Sequence, residues 1–164
     1  MRILTATLIA MGFCALPCAS QELPFSNSNS IEVPARDGSW TIQIVTTGGF
    51  DGRGRGSVTL NSFGKLLCSL TVRACPETLT AKVMQPLTQM FAAADASQWI
   101  NPGSSAIFVS LCNDCYVTRV TFSRREANLV QVVTFTWNDV TRGSIPPEVL
   151  RMTDLAFSLA IPSN

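Results

Sequence analysis

Two alternating runs and the glycines between them constrain this chain more than any other feature. Trp40, Ile42 and Ile44 alternate with Thr41 and Gln43, and Val58 and Leu60 alternate with Ser57 and Thr59. A period of two with β-branched residues marks two strands, expected at about residues 39–47 and 56–61. Between them Gly48-Gly49-Phe50-Asp51-Gly52-Arg53-Gly54-Arg55-Gly56 holds five of the chain's ten glycines. A hairpin needs only about two to five connecting residues, and glycine is the residue that loses most freedom on ordering. A connection of this length and composition has little use as a turn alone. It is expected to display Phe50 as an apolar anchor, with Arg53 and Arg55 as forked donors for carboxylates or carbonyls of a partner. Gly48, Gly49, Phe50, Asp51, Gly52, Arg53 and Arg55 are therefore the candidate partner-binding residues. The alternative is a plain glycine-rich connection carrying two solvated arginines.

The N-terminus reads as an export leader. Met1-Arg2 is followed by an apolar run over 3–17 that is short for a membrane span, and Cys18-Ala19-Ser20 offers small residues for cleavage after Ser20. A lipid anchor on Cys18 is the alternative, disfavoured by Pro17 immediately before it. Residues 21–38 are polar and read as a flexible lead-in, leaving 39–164 as one domain. Loss of Arg2 with the leader leaves 11 basic residues against 11 acidic ones. Such a balance gives no field to recruit nucleic acid or an anionic membrane. The expected location is secreted or periplasmic, with no membrane association after cleavage.

Beyond the leader four cysteines remain: Cys68, Cys75, Cys112 and Cys115. An even number in an exported chain implies two disulfides, with three connectivities open. A four-thiolate zinc site is the competing reading. Cys112-x-x-Cys115 has half of the usual spacing, but Cys68 and Cys75 are seven apart. No metal and no cofactor are expected.

Along the rest of the chain, residues 65–73 form a third strand, with Leu66, Cys68, Leu70 and Val72 on one face. From Glu77 the period becomes helical: Leu79, Val83, Leu87, Met90, Phe91 and Ala94 share a face through Pro86, which predicts one kinked helix to about Ala96. Residues 106–111 are a short apolar run, irregular or at an edge. Residues 116–123 and 129–137 alternate again as strands. A final helix spans 145–160, with Ser144 as its cap and Pro146-Pro147-Glu148 in its first turn. The expected architecture is α+β: an antiparallel sheet in the order βββ-α-ββ-α with the helices on one face.

Catalysis finds little support. The chain has no histidine, so the commonest general base and metal ligand is missing. The acids are scattered singly. The glycine loop lacks a Gly-Lys-Ser/Thr ending and leads into a strand, unlike a phosphate loop. An enzyme is not expected.

Thr47-Gly48-Gly49-Phe50-Asp51-Gly52 between two strands, Tyr116 with 117–122, Trp137-Asn138-Asp139, and Pro146-Pro147-Glu148-Val149-Leu150 together resemble the emfourin-like proteins. These are small bacterial inhibitors of thermolysin-type (protealysin-like) metallopeptidases. The resemblance implies a proteinaceous inhibitor acting through the glycine-rich loop on a secreted or periplasmic peptidase. The export leader, the strand carrying Cys68 and the four cysteines depart from that pattern. The alternative is an exported interaction domain without inhibitory activity.

Overall fold

The computed structural model describes residues 34–52, 54–70, 75–94 and 105–161. The expected leader at 1–20, residues 21–33 of the expected lead-in, Arg53, the end of the expected third strand and the expected helix end at 95–96 lie outside the described residues. Six strands and two helices follow in chain order: β1 (Trp40–Gly48), β2 (Gly56–Asn61), β3 (Leu66–Leu70), α1 (Ala81–Ala93), β4 (Ser105–Phe108), β5 (Tyr116–Glu126), β6 (Leu129–Asn138) and α2 (Pro147–Ala160). A 3-10 turn over Arg142–Ser144 precedes α2. The strands form one sheet in the order β3-β2-β1-β5-β6-β4.

The class is α+β, but two features of the expected sheet need correction. The 106–111 run contributes a sixth strand, so the order along the chain is βββ-α-βββ-α. That strand, β4, pairs parallel to β6, which makes the sheet mixed. Parallel neighbours need a crossover, and the long connection through β5 supplies it. Edge placement, expected for this run, is what the structure has.

Alternation does what its period requires. Ile42 of β1 lies opposite Leu60 of β2 and Phe122 of β5, and Ile44 lies opposite Val58 and Val120. On β6, Phe135 opposes Val120 and Val133 opposes Phe122. These side chains form one buried cluster with Trp40, Leu66 and Trp137, and with the inward faces of both helices. Each large apolar side chain removed from water contributes about 1.5–3 kcal/mol. Trp40 stacks on Phe91 of α1 with ring centroids 4.3 Å apart, and Phe91 meets Phe122 edge-on at 5.9 Å. From α2 the cluster takes Val149, Met152, Ala156 and Ala160.

Helix α1 begins later than its period suggests. Leu66 donates to the Glu77 carbonyl, Leu79 donates to the Gly64 carbonyl, and Lys65 bridges Thr78. Backbone groups committed to the β2–β3 turn cannot also start a helix, so α1 opens only at Ala81. Its buried face is Met84, Leu87 and Phe91, while Val83 is exposed. The expected face is thus rotated, and Leu79 packs on the core from outside the helix. Pro86 lies inside α1 on an exposed position, where water can satisfy the carbonyl it leaves without a donor. At α2, Ser144 belongs to the 3-10 turn and makes no capping bond; Pro146 occupies the cap and Glu148 the first turn. Thr153, buried within α2, donates to the Val149 carbonyl at 2.7 Å, so its hydroxyl is satisfied inside the helix.

Cys68 is bonded to Cys75, and Cys112 to Cys115, which settles the connectivity left open by the sequence. The Cα separations of 6.3 and 5.7 Å suit such bridges. Two disulfides fit an oxidising compartment. Among the described residues no helix is long and apolar enough to cross a membrane. The end of the lead-in is tied down: Arg125 Nε donates to the Pro34 carbonyl at 2.6 Å, and Asp37 accepts from the Ala127 amide.

Candidate functional site

One end of the sheet gathers the loop between β1 and β2, the Cys112–Cys115 turn that leads into β5, and the segment after β6. Antiparallel pairing of β1 with β5 puts Gly48 opposite Tyr116, and pairing of β5 with β6 puts Val117 opposite Asn138. Residues distant in sequence therefore meet here.

The β1–β2 loop has a defined path. The Gly49 amide donates to the Cys115 carbonyl at 3.0 Å, the Gly54 amide to the Gly48 carbonyl at 2.8 Å, and the Gly52 amide to the Gly49 carbonyl at 3.0 Å. Two glycines are required by contact as well as by conformation. At Gly54, φ is +70° and a Cβ would lie 2.0 Å from the Thr46 carbonyl oxygen. At Gly49, φ is +79° and a Cβ would lie 2.5 Å from the Tyr116 ring. The loop lies folded against the end of β1 and against Tyr116. Strand pairing absorbs Gly48 and Gly56, which leaves residues 49–55 as the connection.

Arg55 places its guanidinium carbon 4.6 Å from the centroid of the Tyr116 ring. A cation over an aromatic face is held by the ring quadrupole at about 0.5–1 kcal/mol when exposed. The Tyr116 amide donates to Asp139 Oδ2 at 2.9 Å, tying the start of β5 to the segment after β6. Asn138 completes the bracing: buried, it donates through Nδ2 to the Ser110 carbonyl at 2.7 Å and accepts from the Thr141 amide at 3.1 Å. The Thr141 hydroxyl donates to the Phe108 carbonyl.

On this braced base Phe50 stands 91% exposed, with Asp51 and Gly52 exposed beside it. Val140, on the neighbouring segment, is 66% exposed. Gly49, Phe50, Asp51, Gly52 and Arg55 thus share one loop at one end of the sheet, Gly48 is the last residue of β1 beside it, and Arg53 lies outside the described residues. Of the four cysteines, Cys112 and Cys115 belong to this end. Cys68 sits opposite Val58 and packs on the core, so the Cys68–Cys75 bridge serves the edge at β3. Among the described residues no three His, Cys, Asp or Glu side chains gather as a metal site would require.

The loop's supports were not legible as a site. Tyr116 and Cys115 reach it, and Asp139 holds Tyr116, only because β1 lies between β2 and β5, and no spacing in the sequence states that neighbour relation. Comparison with known protein families, curated proteins and solved structures finds no match.

Proposed function

We propose that this chain is an exported, disulfide-containing binding protein that inhibits a metallopeptidase through the β1–β2 loop. The observation that carries the reading is the exposure of Phe50 on a loop whose backbone is fastened at both ends. A large apolar ring left in water gains free energy only when something covers it, and a fixed loop loses little entropy when that happens. Arg55, pre-set against Tyr116, adds a guanidinium for carboxylates or carbonyls at the rim. The resemblance of Thr47–Gly52, Trp137–Asp139 and Pro146–Leu150 to the emfourin-like pattern names the partner class. An exposed ring and a guanidinium on one loop are contact chemistry, and with no histidine in the chain the reading assigns it no catalysis.

The test adds the purified, oxidised protein to a thermolysin-type metallopeptidase and follows peptide hydrolysis, with excess zinc and calcium present to discount chelation. Dose-dependent inhibition is expected. Phe50→Ala should weaken it by about 2 kcal/mol, roughly thirtyfold in inhibition constant. Stable binding without inhibition would favour the interaction-domain reading, and no binding would remove the peptidase from the account.

A further inference from the structure

Among the described residues the sheet ends at β4. Strand β6 occupies one side of β4, and among the described residues no strand pairs with the other. Beyond β4 the chain keeps its alternation: Ser105, Ile107, Val109 and Leu111 are exposed, and Ala106, Phe108 and Ser110 are half-buried. The apolar positions in the exposed row are Ile107 at 68%, Val109 at 47% and Leu111 at 104%.

The backbone direction follows from two hydrogen bonds. Thr141 donates to the Phe108 carbonyl and Asn138 to the Ser110 carbonyl, so both carbonyls point inward, toward β6. Successive residues of an extended chain send their N–H and C=O groups to opposite edges. The amides and carbonyls of Ile107, Val109 and Leu111 therefore point outward. The same three residues carry the exposed apolar side chains.

Natural sheets guard such edges with lysines, prolines, bulges or covering elements. Residues 105–111 read Ser-Ala-Ile-Phe-Val-Ser-Leu and contain neither a charge nor a proline.

We propose that a second copy of this chain occupies this edge. Two copies of the segment 107–111, the end of β4 and the residues that follow it, pair antiparallel about a two-fold axis through Val109 and continue the sheet from one protomer into the other. In that register Val109 faces Val109 of the partner copy, and Ile107 and Leu111 face each other reciprocally. Every outward backbone group finds its complement, giving about six hydrogen bonds, two for each of the three opposed pairs. On the same face each apolar side chain meets another apolar side chain. The row is complementary to itself, which a two-fold interface requires. The near-neutral chain offers no repulsion between copies. This surface is the sheet's edge and does not depend on how the β1–β2 loop is used.

Sedimentation of the oxidised, full chain from about 1 µM to about 1 mM reads the association directly. A dimer is expected within that range. Val109→Lys sets two ammonium groups opposite each other at the axis and should raise the dissociation constant roughly tenfold or more. Leu129→Lys, at an apolar position at the start of β6 that is more exposed than Val109, should leave it unchanged. A chain that stays monomeric throughout, or a dimer indifferent to Val109→Lys, overturns the proposal. Should the lysine variant fail to fold, amide exchange of the unaltered protein decides. Protection of Ile107, Val109 and Leu111 at high concentration supports the pairing, and unprotected amides at both high and low concentration overturn it.

Discussion

The β1–β2 and β5–β6 connections join antiparallel neighbours in different ways. Between β5 and β6 the chain reverses with two residues, Ala127 and Asn128. It does so without glycine, holding Ala127 at φ 50° and bonding its amide to Asp37 Oδ1 at 2.6 Å. Between β1 and β2 it spends residues 49–55, places three of them (Gly49, Gly52 and Gly54) in the left-handed region, and leaves a phenylalanine in water. The sheet tolerates a two-residue reversal, so the extra length of the β1–β2 loop is not needed for pairing. What the additional residues achieve is a fixed path out of the sheet, with Phe50 exposed on it.

The sharpest way to break this comparison is to disturb the path itself. Gly54→Ala brings a methyl group 2.0 Å from a backbone oxygen at a φ of +70° and should cost about 3 kcal/mol, the upper end of local backbone strain. Gly52→Ala shares that φ but meets nothing within 4 Å, so it should cost only about 1 kcal/mol. Denaturant melts of the pair check this, and equal effects would mean that the loop does not lie against β1. Ala127→Gly should do the opposite in the structural turn. It relieves a left-handed alanine and should add about 1 kcal/mol of stability, offset in part by the freer unfolded chain. Arg55→Ala should lower stability least, by about 0.5 kcal/mol, since the cation over Tyr116 is exposed. A fall in melting temperature on Arg55→Ala larger than that of Gly52→Ala would make the arginine a structural brace rather than a rim contact.

The fold was legible where local pattern and tertiary demand agree. Strands β1, β2, β5 and β6 alternate, and their apolar rows became the core. Pattern failed where backbone groups had another commitment. Residues 77–79 fit a helical period, yet their amides and carbonyls pair with the β2–β3 turn, so α1 starts at Ala81 and buries Met84 where Val83 was expected. A proline takes the α2 cap that Ser144 was expected to fill. The parallel pairing of β4 with β6 depends on strand order, which periodicity does not encode. At the candidate site, glycine content and Phe50 marked the loop itself, but the Tyr116 ring and Asp139 that brace it come from elements joined only by the sheet.

The central claim is that the β1–β2 loop is built to display rather than to fold, and thermal unfolding of Phe50→Ala tests it most directly. A side chain already 91% exposed has little burial to lose, so the account predicts a melting temperature within error of the unaltered protein. A destabilisation of about 3 kcal/mol, the size expected for removing a buried phenylalanine, would contradict it and place the ring in the core.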